Sequence, residues 1–161
     1  MGKGENGAPV KRMLVENDPS RYAVVDLTAE EVQAVVGSIR ARLAADDGIA
    51  FAYLHGSFLD EIPSHDVDVA VYFGKGLSDR ERLDRCFALE SELGHQLRLP
   101  VDVHAIDPGD LAFSFDAISG KVLFSRDEAE RDRFEERAVA LYLDYKPMLA
   151  EILRDLAGNR V

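Results

Sequence analysis

Apolar residues first recur at helical spacing: Val32, Val35, Val36, Ile39 and Leu43 share one face. Thr28, followed by Ala29-Glu30-Glu31, is a capping box that predicts where this helix starts, and Asp46-Asp47-Gly48 predicts its end. The period then changes. Ile49 to His55 is a short apolar and aromatic run bounded by Gly48 and Gly56, which predicts a buried strand. Gly56 to His65 reads as a loop or short helix, with Pro63 near its end. From Asp66 to Phe73 the pattern alternates. Val67, Val69 and Val71 lie on one face and Asp66, Asp68, Ala70 and Tyr72 on the other, which predicts a second strand.

Ser78 and Glu81 form a second capping box, opening a helix to Leu97 with Leu83, Cys86, Phe87, Leu93 and Leu97 turned inward; Pro100 stops it. Val101 to Ile106 reads as a third strand. Asp107 as N-cap and Pro108 at the first position predict a further helix, closed at Gly120. Val122 to Phe124 reads as a short fourth strand. Asp127 opens a long charged helix whose aromatic stripe (Phe134, Tyr142, Tyr145) reads as core, with a partner interface as the alternative. Pro147 is expected to kink or split this helix before Met148 to Leu156. The order of elements predicts an α/β (α+β) fold, a small mixed sheet covered by helices. Residues 1–26 carry no period and read as a flexible N-terminal arm; residues 27–161 read as one domain that includes the C-terminal helices.

Composition narrows the possible functions. The chain has 161 residues, 47% of them hydrophobic, enough for one sizeable core. Asp and Glu total 30 against 19 Lys and Arg, a net charge of -11. Such a surface argues against direct nucleic-acid binding and against docking on an anionic membrane. It leaves room for a single nucleotide held through divalent cations. Cys86 is the lone cysteine, so neither an intramolecular disulfide nor a cysteine-based zinc site is expected, and a cytoplasmic setting follows.

The candidate chemistry sits at Tyr53-Leu54-His55-Gly56-Ser57, eight residues, then Asp66-Val67-Asp68-Val69. Residues i and i+2 of a strand face the same side, so Asp66 and Asp68 can share a divalent cation. Gly56 permits a sharp turn and a close phosphate approach, and Ser57 offers a hydroxyl and a backbone N–H. A helical turn begun at Ser57 would add a favourable partial charge. Asp102, between Val101 and Val103, joins the same face if its strand lies beside the second. Two buried acids with no cationic neighbour on the strand would be costly, which favours a metal. A merely solvated strand face is the plainer alternative. His104 shares the face of Asp102, His55 and His65 flank the loop, and His95 reads as solvated.

The stretch from Tyr53 to Phe73 resembles the signature of the polymerase-beta-like nucleotidyltransferases: an apolar strand, Gly-Ser, a spacer, then Asp-x-Asp among apolar residues. The Val101-Asp102-Val103 strand, the segment Gly120 to Asp127 and Tyr142 to Pro147 resemble the minimal, MntA-like antitoxin branch of HEPN/MNT toxin–antitoxin systems. The resemblance covers residues 28 to about 156. It implies transfer of AMP from ATP, with Mg²⁺, to a tyrosine hydroxyl of a HEPN ribonuclease toxin. Asp66, Asp68 and Asp102 would hold the metal, Asp102 would activate the acceptor, and Gly56 and Ser57 would cradle the triphosphate. Phe58-Leu59-Asp60-Glu61 stands where that branch carries a basic residue, and the spacer is short. An antitoxin that neutralises its partner by binding alone, and transfer to a small-molecule hydroxyl, are the alternatives. A homo-oligomer is compatible with all three.

Overall fold

The computed structural model describes residues 12–13, 24–25, 27–59, 66–74, 76–107 and 109–158. His65, Pro108 and most of the expected N-terminal arm lie outside the described residues. Within that arm, β1 (Arg12–Met13) and β2 (Val24–Val25) form a two-residue antiparallel pair.

The first helix, α1 (Ala29–Ala44), starts at the expected cap. Thr28 Oγ1 accepts from the Glu31 N–H at 3.2 Å, and Glu31 Oε2 accepts from the Thr28 N–H at 2.8 Å. Its far end is closed by a residue distant in sequence. The Arg126 guanidinium donates to the carbonyls of Ala44 at 2.5 Å and Asp46 at 3.1 Å, and its Nε to that of Ile49 at 2.8 Å. A cation there satisfies orphan carbonyls at the negative end of the helix dipole.

Four strands make the main sheet: β3 (Ile49–His55), β4 (Val67–Phe73), β5 (Val101–Ala105) and β6 (Lys121–Ser125). Their order is β5-β4-β3-β6. β3 pairs antiparallel with both β4 and β6, while β4 and β5 run parallel. This is the expected small mixed sheet, with β4 in an interior position. One face packs Val67, Val69 and Val71 against Ile39 and Leu43 of α1 and Leu89 and Leu93 of the next helix. The other packs Phe51, Tyr53 and Ala70 against Ala117, Phe134 and Ala138.

The second helix, α2 (Asp79–Leu97), carries the Ser78/Glu81 capping box. Its buried face is Cys86, Leu89 and Leu93; Leu83 and Phe87, expected inward, are exposed. At about 100° per residue they are turned roughly a quarter-turn or more from the centre of that face. α2 also closes the outer edge of the sheet. The Val103 N–H donates to Glu90 Oε1 at 3.1 Å, and the Ala105 backbone hydrogen-bonds the Cys86 thiol.

The third helix, α3 (Leu111–Ile118), begins later than expected. Its N-cap is Asp110, whose Oδ1 accepts from the Phe113 N–H at 3.4 Å. Asp107 instead makes a tight turn: its Oδ1 accepts from the Gly109 N–H at 2.7 Å, and its carbonyl accepts from the Ser114 hydroxyl at 2.7 Å. Two acids three residues apart were both competent caps, and the turn consumed the first. Gly120 follows α3, where an added Cβ would overlap the Leu54 carbonyl.

The last helix, α4 (Glu128–Gly158), has 31 residues, about 46 Å of helix. Asp127 Oδ1 accepts from the Glu130 N–H at 3.1 Å, as its predicted start requires. The helix is not split at Pro147. Proline removes one N–H and crowds the Leu143 carbonyl, but both sites are exposed, so water can take the freed acceptor. No described helix is long and apolar enough to cross a membrane.

Candidate active site

The site rests on the register of three strands. Asp68 of β4 lies opposite Asp102 of β5 in the parallel pairing and opposite His55 of β3 in the antiparallel one. Asp66 immediately precedes β4. Each of the three acids offers one carboxylate oxygen, and these oxygens lie within 4.8 Å of one another. Asp66 and Asp68 are half-buried and Asp102 is exposed. The three predicted carboxylates are therefore brought together on one face.

Electrostatics within the cluster are unfavourable. Burial pushes the Asp68 carboxyl above the usual carboxylate range, and the charges of Asp66 and Asp102 push it further; His55 and His104 oppose the shift. Three hard oxygen donors in mutual repulsion suit a divalent cation, and Mg²⁺ accepts such partial protein shells alongside water and phosphate oxygens.

The turn after β3 is shaped by Gly56, whose φ of 74° lies in the left-handed region. A Cβ there would also run into the Asp68 carboxylate. Glycine is thus required twice, for backbone conformation and for space. Ser57 is exposed and opens a three-residue 3-10 turn, Ser57–Leu59. Residues 60 and 61, the rest of the helical turn expected from Ser57, lie outside the described residues. Phe58 is buried beneath the 3-10 turn.

Beside the carboxylates lies a group that periodicity did not reveal. His55 is 6% exposed, and its Nδ1 meets Asp116 Oδ2 at 3.2 Å. Its Nε2 is buried without a hydrogen-bond partner among the described residues. Phe113 stands edge-on to both His55 and His104, at ring distances of 5.3 and 5.4 Å. His104 is exposed. The only sequence signal for this group was a histidine inside an otherwise apolar strand. Its acidic partner is 61 positions away.

Toward the C-terminal end of β5 an open groove of about 920 Å³ runs between α2 and the start of α3. His104, Cys86, Ile106 and Phe113 line it, with Arg82 held by Asp107 at 3.4 Å. The carboxylates lie at the start of β4 and β5, so the groove adjoins the site through His104 and does not contain it. On the same face, Tyr53 donates to Glu135 Oε1 at 2.7 Å, and burial with this acid holds its hydroxyl protonated far above the usual tyrosine range.

This strand–turn–strand arrangement, with paired acids and a third on the neighbouring strand, has a known counterpart. Residues 38–129 match the family of polymerase beta nucleotidyltransferases. The chain belongs to that family. It is accordingly a nucleotidyltransferase by membership, and its fold is that of solved members. It resembles a chain in the structure of a tri-AMPylated Shewanella oneidensis HEPN toxin in complex with MNT antitoxin, with a TM-score of 0.62 and 19% identity over 78% of this chain and 98% of that one. A toxin–antitoxin MntA–HepT structure gives 0.57 at 19% identity, over 78% and 98%. A toxin–antitoxin structure with AMP-PNP gives 0.57 at 16% identity, over 81% and 99%. Among curated protein sequences none matches this chain.

Proposed function

We propose that this protein is an antitoxin-type adenylyltransferase that moves AMP from ATP to a tyrosine hydroxyl of a HEPN-type toxin. The observation that carries the reading is the convergence of Asp66, Asp68 and Asp102 beside the Gly56-Ser57 turn. Supporting it are the likeness to MNT antitoxin chains and the AMPylated state of the toxin in one of those complexes.

Asp66, Asp68 and Asp102 would hold divalent metal, with Mg²⁺ the expected ion. When bound, the metal supplies charge neutralisation for the triphosphate and for the oxygens that gain charge as the phosphoryl group moves. Gly56 turns the chain tightly beside the Asp68 carboxylate, and the Gly56-Ser57 turn would cradle the triphosphate, Ser57 through its hydroxyl and N–H. Asp102, the most exposed of the three, would take the proton of the acceptor hydroxyl. The acceptor oxygen then bonds to the α-phosphorus, the bond from that phosphorus to the bridging oxygen breaks, and pyrophosphate leaves.

The test is incubation of the purified protein with Mg·ATP and the protein encoded by its neighbouring gene. The expected outcome is a mass gain of one or more AMP units on the neighbour, located on tyrosine. The Asp66→Asn, Asp68→Asn double variant should abolish the gain. Persistence of the mass shift in that variant overturns the assignment.

A further inference from the structure

Apolar surface is unevenly distributed. Of the ten large hydrophobic side chains exposed among the described residues, seven lie on α4 between Val139 and Leu153. Every described side chain from Leu143 to Asp155 is exposed, so nothing in this chain's described residues covers that half of the helix. At about 100° per residue, Tyr145, Met148, Leu149 and Ile152 fall within a stripe about 100° wide. The stripe prolongs the face that buries Phe134 and Ala138 against the sheet.

Val139, Leu143 and Leu153 add apolar surface on one flank of this stripe, around Lys146. The stripe has the width a helix buries against a neighbour, and Lys146 can lay its apolar stem along the flank while its ammonium stays in water. The remaining sector is polar and mainly acidic: Asp144, Glu151 and Asp155, at spacings of seven and four, form one row along its edge.

We infer that the distal half of α4 docks into an apolar groove of a separate protein, with Lys or Arg on the groove rim opposite Asp144, Glu151 and Asp155. A second copy of this chain fits poorly. Antiparallel self-pairing sets the acidic row against its own twin and joins two chains that each carry a net charge of -11. An anionic bilayer is disfavoured by the same row. The inference names the docking element for the partner in the proposed function and rests on that reading only for the partner's identity.

The test uses the full-length protein and the purified product of the neighbouring gene as probe, with affinity read by calorimetry. The Leu149→Asp, Ile152→Asp double variant alters only exposed positions, so its circular dichroism and melting should match wild type. Its affinity is expected to fall about 100-fold or more. A second variant, Asp144→Lys with Glu151→Lys and Asp155→Lys, is expected to bind about tenfold more weakly at low salt and to lose most of the salt dependence. Unchanged affinity in the apolar variant overturns the inference, as does failure of the wild type to bind. A wild-type homodimer that this variant dissolves also overturns it, in favour of a second copy. AMP transfer is scored separately. Binding through α4 without transfer defeats the proposed function and leaves the docking site standing. Transfer with unchanged binding in the variants does the reverse.

Discussion

Gly56 shows how narrowly a single residue can be specified. Its backbone sits at φ 74°, and the space a Cβ would take is filled by the Asp68 carboxylate. Gly56→Ala therefore combines a left-handed backbone penalty of about 1–2 kcal/mol with displacement of a candidate metal ligand. Urea unfolding should register the first effect, and weakened Mg²⁺ binding in calorimetry the second. Cys86 makes the opposite case, a titratable group kept silent. Burial pushes its thiol up to about 11, aided by the charge of Glu90. The folded state thus favours the neutral thiol. The resulting stabilisation is fully present below the ordinary thiol range and is lost as pH climbs through that range toward about 11. Chemical denaturation across that window should show stability falling with pH, and the Cys86→Ala variant should show a shallower decline. Thiolate being the reactive form, alkylation of Cys86 in the native protein at pH 8 should be far slower than after unfolding.

Among the elements, those governed by local rules were legible from the chain. Both capping boxes opened helices where the sequence placed them, because a cap is a contact within four residues. The alternation Val67, Val69, Val71 against Asp66, Asp68 put the two acids on one face, and an interior place for β4 with β5 beside it brought in Asp102. What escaped was the choice between rival local signals and every contact set by chain crossing. Asp107 and Asp110 compete for one cap, and only the packing of the following turn decides between them. The His55–Asp116 pair and the Arg126 clasp on α1 join residues 61 to 82 positions apart, for which periodicity gives no sign. The guarded edge of β5 belongs to the same class. An open edge strand invites pairing with another chain, and here a Glu90 carboxylate occupies the Val103 donor. Glu90→Ala should leave that donor unpaired and cost about 1–3 kcal/mol, seen as a lower urea midpoint. It should also raise light scattering on heating. Glu90→Gln, which keeps an acceptor, should recover most of the loss.

For the whole molecule, charge and site make separable demands on the solvent. The net charge of -11 is spread over the surface, and any salt that screens it relieves self-repulsion. The repulsion among Asp66, Asp68 and Asp102 is confined to a few ångströms and is relieved by an ion seated between them. NaCl and MgCl₂ at matched ionic strength should therefore act differently. NaCl should raise the melting temperature gradually and without saturation. MgCl₂ should add a saturating rise, because an ion that binds only the folded state stabilises it by mass action, by about 2.7 kcal/mol at a hundred times the dissociation constant. In Asp68→Asn the gradual component should remain, since one charge in a large surface field matters little. The saturating component should vanish, and the metal-free variant should melt above metal-free wild type, because one of three clustered charges has gone. Differential scanning calorimetry of the two proteins in the two salts measures all four quantities. Equal responses to NaCl and MgCl₂ in the wild type would mean that the carboxylates are ordinary surface acids, and the proposed nucleotidyl transfer would lose its metal site.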